Sequence, residues 1–427
     1  MKPFSTVFLA LLASSAVFAA DPPFELTGLP PGATLGKSQS SRAFPTPVMT
    51  PGQPIETRPP ELETDKPAFP GQTRAPYRAT VPFTFTLITD RLKAPWSLAF
   101  LPSGNMLVSE KSGALRIVDP KGSVSEPLTN VPATFRTGTL GFHEVVLDQK
   151  FAKNHRIFFS YFEPNAEEMT TLALASAKLD EIGGAINDVK VIFRAYPAMP
   201  KALGTNGGGR ILIAKDGTLF MTVGDRSRSP PWDVAQRLDT HLGKIIHLTT
   251  EGKPGPGNPF IGKAGALPEI WSIGHRSEQG LTFDAKGRLW ETEHGPRGGD
   301  ELNLIEAGKN YGWPIIFHGI DYPGEYGGLT EKDGMEQPRY YWDPVIAPSG
   351  LMFYTGKLFP AWKDSVFVGG LRSTMLDRLT TKDDKVVDEE PLLFDMKTRV
   401  RDVREGPEGA IYVLFDDGKL GKLTPKS

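Results

Sequence analysis

The 427-residue chain contains no cysteine. That removes disulfides, thiolate metal sites and a lipoprotein anchor together, so a folded core has to stand on packing alone. An excess of either charge is missing too, since 48 Lys and Arg face 50 Asp and Glu for a formal net charge of -2. No long-range field then favours nucleic acid or an anionic membrane surface, and small neutral ligands are the better expectation. Beyond the first twenty residues no apolar run approaches the roughly 18 residues of a membrane span, which predicts a soluble mature chain with no spanning segment. Familiar catalytic signatures are lacking as well: there is no Gly-x-Ser-x-Gly elbow, no His-Glu-x-x-His helix and no Walker-type phosphate loop. Nothing therefore points to the common hydrolase, zinc-protease or nucleotidase designs.

What the chain does have is 45 Gly and 39 Pro, turn formers that suit short strands and tight loops better than long helices. Residues Met1 to Ala20 combine a basic start at Lys2, an apolar run from Val7 to Val17 and small residues up to Ala20. This reads as a secretory signal cleaved after Ala19 or Ala20, and it predicts a secreted, periplasmic protein. From Asp21 to about Pro82 the chain is rich in Pro, Thr and Ser, which predicts a disordered or loosely draped extension. After residue 83 an alternating apolar stretch, a turn at a Gly and a second apolar stretch recur, around Gly104, Gly217, Gly287 and Gly409. Each is a hairpin, and the spacing fits a unit of roughly 57 to 61 residues, about six of which fill the rest of the chain. A ring of four-stranded units protects strand edges. The expected fold is thus all-β, a six-bladed β-propeller over residues 83–427, with a solenoid or stacked sandwich as the alternative built from the same hairpins.

Propellers bind ligands at the mouth of the central channel, where loops from every blade converge. Four polar stretches qualify. The run Thr205-Asn206-Gly207-Gly208-Gly209-Arg210 lets backbone approach a ligand closely. Gly274-His275-Arg276-Ser277-Glu278-Gln279-Gly280 is dense in donors just before an apolar strand. Glu291 to Glu301, followed by Asn310-Tyr311-Gly312-Trp313-Pro314, mixes carboxylates with Gly and Pro carbonyls in a way that suits Ca²⁺, a hard cation that takes oxygen ligands. A solvated acidic turn has the same composition. In Arg399-Val400-Arg401 the strand alternation puts two guanidinium groups on one face, where they could grip a polycarboxylate or simply lie exposed.

Taken with Ala94-Pro95-Trp96-Ser97-Leu98-Ala99-Phe100 and Pro268-Glu269-Ile270-Trp271-Ser272, these stretches resemble the soluble PQQ-dependent aldose sugar dehydrogenases from about residue 83 to the end of the chain. The resemblance implies a propeller with PQQ in its mouth, Ca²⁺ as helper, oxidation of the anomeric carbon of an aldose substrate by hydride transfer, and a further, unidentified electron acceptor. By motif it assigns Asn206 and Arg276 to the catalytic site. Thr139, Arg276, Ser277, Gln279, Tyr322, Arg372, Arg399 and Arg401 would hold the cofactor. The carbonyls of Gly295 and Pro296 would hold the catalytic Ca²⁺, and Glu301 with the Tyr311 carbonyl a further one. Four positions depart from the family pattern: Asn206 replaces the base His, Thr139 a Gln, Ser277 an Asn and Arg372 a Lys. His143 is a candidate substitute base, and a non-catalytic propeller binding PQQ, a sugar or another partner is the alternative function.

Overall fold

The structure, a computed structural model, describes residues 45–165, 167–226, 233–321 and 329–426, with the backbone of 34–35 and 326–327. The signal segment and Tyr322 lie outside these residues. Six antiparallel sheets follow one another along the chain. Their inner strands are Pro95–Phe100, Phe142–Leu147, Gly208–Ile213, Glu278–Phe283, Pro348–Phe353 and Val400–Glu405, for blades 1 to 6. Each inner strand touches the next, and the sixth touches the first, so the ring closes. Phe83–Thr89 pairs with Leu420–Pro425, which makes the first propeller strand the outer strand of the last blade. This is the expected six-bladed β-propeller.

The four sequence hairpins join the first two strands of blades 1, 3, 4 and 6, and their turn glycines adopt φ of 79 to 91°. A side chain at such an angle is strained, so glycine is the residue that fits. In blades 2 and 5 a helical turn takes the place of the glycine turn, at Phe151–Asn154 and Pro360–Trp362. Every inner strand also carries a register shift within its first few residues. Bulges there turn the strand heads toward the channel mouth. Hydroxyls bolt several of them to the preceding blade: Ser109 donates to the His143 carbonyl at 2.5 Å, Ser160 to Gly209 at 2.5 Å and Ser349 to Val400 at 2.7 Å.

Apolar side chains pack between neighbouring blades, forming large clusters at most blade interfaces. The cluster between blades 3 and 4 is smaller, built on Phe220, Ile245, Leu281, Leu289, Ile305 and Tyr311. A cavity of about 520 Å³ opens at that interface, on the side of the Gly217 and Gly287 turns and away from the strand heads.

The expectation of a disordered or loosely draped extension does not hold for residues 45–82. Ile55 and Ala75 join the core between blades 4 and 5, with Trp290, Tyr340, Trp342 and Val386. Backbone of this strap bonds to the outer strands of the same blades, through Tyr77 beside Glu389 and Tyr341 N–H to the Gln72 carbonyl. Outer strands present unpaired backbone, and the strap covers two of them. Composition misled because the few apolar residues of the strap enter grooves already lined by the propeller.

Below the mouth the channel is filled by charged side chains. Arg210 of blade 3 donates to Glu144 of blade 2 at 2.9 Å, lies 3.0 Å from Asp402 of blade 6, and donates through Nε to the Gln279 carbonyl of blade 4 at 2.6 Å. Its guanidinium stacks over Trp96 of blade 1 at 4.1 Å. Arg404 completes the network with bonds to Glu144 and Asp402. Removing one member of a buried ionic network typically costs about 3 to 5 kcal/mol. Arg210→Met is therefore expected to lower unfolding free energy by that order, read from urea denaturation, whereas a change within about 0.5 kcal/mol would show that the network is not a structural tie.

Candidate active site

The heads of the inner strands and the tails of the second strands share one face, and the candidate residues gather there. Arg399 and Arg401 both reach Asp416, at 2.7 Å from each Nε, as strand alternation predicted for two side chains on one face. Asp416 follows the second strand of blade 6. Burial alone would raise its pKa, but Arg401 and Arg399 hold it below the usual carboxylate range. Lys111 stands nearby on blade 1 and donates to the Gly138 carbonyl at 2.5 Å. Burial, and then the charges of Arg401, Arg136 and Arg399, bring its pKa down to about 8, the mark of a crowded cationic region. Arg372 is half-buried one residue after Leu371, whose carbonyl accepts from Arg399 at 3.2 Å.

Arg276 lies across the mouth, on blade 4. Its Nη1 donates to the carbonyls of His294 at 3.0 Å and Gly295 at 2.9 Å, and its guanidinium lies 5.1 Å over the Trp313 ring. The Gly295 carbonyl assigned to a cation thus already faces a guanidinium. Ser277 and Gln279 are buried and bonded to one another at 3.3 Å. Thr139 takes its place through a backbone bond to Gly204 at 2.8 Å, and its hydroxyl is buried without a partner among the described residues.

Asn206 sits at φ 46° between two loops. Its Nδ2 donates to Asp225 Oδ1 at 2.8 Å and its Oδ1 accepts from Thr205 at 3.0 Å. Asp225 Oδ2 accepts from the Trp313 indole at 2.7 Å, and the Asp225 N–H donates to the Arg276 carbonyl at 2.9 Å. Asp225 therefore joins the Asn206 loop and Trp313 through its carboxylate and Arg276 through its backbone N–H. Lys244 anchors the loop after Asp225 by donating to the carbonyls of Val234, Ala235 and Leu242, and burial brings its pKa down to about 7. His143 is not a substitute base. It is buried flat against Trp96 with both ring nitrogens on backbone carbonyls, Gly208 at 2.8 Å and Thr139 at 3.0 Å, and burial brings its pKa down to about 3.

Beside the mouth, between blades 3 and 4, is a hollow of acids. Glu278, Glu291, Glu293 and Glu301 are all buried, and His275, Glu291 and Glu293 offer ligand atoms within 4.8 Å of one another. Asn303 Nδ2 reaches Glu301 at 3.0 Å and, more weakly, Glu291 and Glu293. Both oxygens of Glu278 and one of Glu291 have no hydrogen-bond partner among the described residues. Burial, then the charge of Glu293, pushes the carboxyls of Glu278, Glu291 and Glu301 well above the usual range. Tyr311 borders the hollow, its ring stacked on His275 at 4.8 Å. An oxygen-rich set short of positive charge fits a hard divalent cation. The sequence singled out Glu301 and Tyr311 but not Glu278, Glu293 and His275 as their neighbours, nor Lys111, Asp225 and Asp416 at the mouth. Pairing across strands brings these together, and spacing along one strand does not show it.

Fold and site define a propeller with a cationic mouth and an acidic hollow beside it, suited to a polyanionic ligand and a divalent ion. The chain belongs to the glucose/sorbosone dehydrogenase family, whose profile matches residues 92–424. It is 38% identical to the aldose sugar dehydrogenase YliI of Escherichia coli K12 over 349 residues, which cover 80% of this chain and 92% of that protein. The crystal structure of the soluble aldose sugar dehydrogenase of E. coli in its apo form superposes with a TM-score of 0.75 at 37% identity, covering 81% of this chain and all of that one. The PQQ-bound aldose sugar dehydrogenase of Streptomyces coelicolor gives 0.66 at 27% identity, covering 81% and 99%.

The acids make stability depend on pH in a defined direction. Burial raises Asp300 and Asp343 to about 7 and pushes the glutamates of the hollow well above the usual carboxylate range, so the folded chain holds protons that the unfolded chain has released. Stability then falls as pH rises from about 4 through 7. Metal-free protein is expected to melt at a lower temperature at pH 8 than at pH 5.5, and calcium should narrow that gap. A melting temperature that rises with pH in the absence of metal would contradict this account of the hollow.

Proposed function

We propose that this protein is an exported, periplasmic PQQ-dependent dehydrogenase that oxidises the anomeric carbon of an aldose, with Ca²⁺ as helper and an altered proton-accepting position. The observation that carries the reading is the convergence of Lys111, Arg276, Arg399 and Arg401 on one mouth, next to buried carboxylates whose oxygens find no hydrogen-bond partner among the described residues. PQQ, when bound, supplies an o-quinone that takes up hydride, and calcium supplies a Lewis acid for its reactive carbonyl. The sugar loses a hydride from its anomeric carbon and a proton from the attached hydroxyl, giving the lactone.

The residues divide this work. Arg399 and Arg401 are held on one strand face by a single carboxylate, so a carboxylated ligand meets them already oriented. Arg276, fixed by two carbonyls and Trp313, lies between the Asn206 loop and the Gly295-Pro296 turn. Glu301 and the Tyr311 carbonyl, with the hollow around them, would hold the further cation. Asn206 can orient a sugar hydroxyl but cannot take its proton, because a carboxamide has no useful basicity. A propeller that binds PQQ or a sugar without turnover is therefore the second reading, favoured by Asn206 and by the burial of His143.

Two variants separate these readings. Arg401→Ala should weaken PQQ binding by the equivalent of about 1.5 to 3 kcal/mol, the usual worth of a charge-assisted bond. Affinity equal to wild type by fluorescence titration would remove Arg401 from the site. Asn206→His places a base beside Asp225 and is expected to raise aldose oxidation by about 10²- to 10⁴-fold with little change in PQQ affinity. If neither wild type nor Asn206→His reduces bound PQQ with any of a panel of aldoses, the enzyme reading fails and the binding reading stands.

A further inference from the structure

The strap before the propeller is the part of the chain that the family does not account for. The family profile begins at residue 92, and the E. coli relative is matched over 92% of its own length by 80% of this chain. Yet the strap buries acids. The Asp65 side chain is 1% exposed, and its two oxygens accept from His318 Nδ1 at 2.8 Å and from the Gly319 N–H at 2.7 Å. His318 in turn lies flat on Tyr341, with ring centroids 3.7 Å apart.

From there the contacts lead to the mouth. Gly319 fits so closely that a Cβ on it would fall 2.2 Å from the Arg297 carbonyl, and one on Gly299 would fall 2.3 Å from the His318 carbonyl. Arg297 and Ile320 exchange backbone bonds of 3.1 and 2.8 Å. Four residues earlier in the strap, the Glu61 N–H donates to both oxygens of Asp343 at 3.1 Å, and that carboxylate abuts Gly298. Gly295 packs in its turn on the carbonyls of Gly298 and Gly299. Two points of the strap thus press, each through one intervening group, on residues 297–299.

We infer that residues 61–65 are a positioning element that holds the turn at Gly295 and Pro296, and with it the chain leading to Glu301, in the arrangement that binds a cation. The inference rests on the proposed calcium dependence and on the family-implied reading of the Gly295 and Pro296 carbonyls as its ligands, with the Arg276 guanidinium that Gly295 faces giving way to the ion. A turn with glycine at 295, 298 and 299 has more conformational freedom to lose than any other composition. Without outside support, ion binding has to order the turn as well, which weakens affinity. Groups behind a ligand shell commonly change metal affinity by about 10- to 100-fold when altered.

The test compares full-length wild type with Asp65→Asn, which keeps the volume but offers one acceptor where two donors need one each. Thr80→Val serves as control, because Thr80 ties the strap to Glu390 and Trp362, far along the strap from the turn. Amide hydrogen exchange at residues 295–299 is followed in the metal-free proteins, and calcium affinity by calorimetry. Asp65→Asn should speed exchange there and weaken calcium binding by about 10- to 100-fold, and Thr80→Val should do neither even if it lowers the melting temperature. Should Asp65→Asn fail to fold, His318→Gln removes the same bond from the other side. Unchanged exchange, or faster exchange with unchanged calcium affinity, overturns the inference. If wild type itself takes up no calcium, the metal reading falls, and the exchange at 295–299 still decides whether the strap holds the turn.

Discussion

The guanidinium of Arg210 stands where five blades meet. Glu144 and Asp402 give it charge, the Gln279 carbonyl accepts its Nε, and the Trp96 ring receives its face. Such an ion network is weak evidence for net stability, because desolvating four charges offsets much of their attraction. Its effect is on register. A planar group on blade 3 with fixed donor directions can satisfy partners on blades 2, 4 and 6 only when their inner strands stand in one phase about the axis. The bulged strand heads above it then fall at one level, and the mouth is assembled from single residues of separate blades. The Gly208-Gly209-Arg210 run belongs to this floor, since Arg210 points below the mouth and its glycines make room for the His143 ring and the strand beside it.

Cost and use fall on the same interface. Between blades 3 and 4 the apolar cluster is small and part of the space is open. Toward the mouth the same interface carries Glu278 and Glu291 with unpartnered oxygens. A domain selected for stability alone would fill that place with packed hydrocarbon, as the other interfaces do. The unsatisfied carboxylates are intelligible as ligands for a cation, whose binding returns the solvation that burial removed. On the proposed reading, glycines in the adjoining turn follow the same logic, giving carbonyls the freedom to face an ion and leaving to the strap and residues 318–320 the task of holding them still.

Much of the fold was legible because four hairpins turn on glycines that backbone geometry demands. Blades 2 and 5 were hidden, since a helical turn replaces the glycine turn and interrupts the repeat. Within the site, Arg399 and Arg401 were visible through strand alternation, which is a local property. Asp416 and Lys111, which lie against them, were not, because they come from the tails of second strands in blades 6 and 1. The strap was misread for a different reason. Its composition lacks enough apolar surface to fold alone, and composition cannot register that Ile55, Ala75 and Asp65 meet partners prepared on another part of the chain.

On the proposed reading, the Asn206 site gives up a base and keeps the geometry around it. Asp225 accepts one bond from Asn206 and another from Trp313, while Trp313 lies under Arg276. A carboxamide N–H satisfies Asp225 as a ring N–H would, so nothing in the packing of the loop selects for a base. The acceptor end of Asn206 is occupied by the Thr205 hydroxyl, a bond that a sugar hydroxyl can displace but that takes up no proton. On the same reading, the binding and orienting groups of the mouth do not depend on the group that accepts the proton. On that reading a proton acceptor comes from elsewhere than His143, which is buried with both ring nitrogens facing backbone carbonyls.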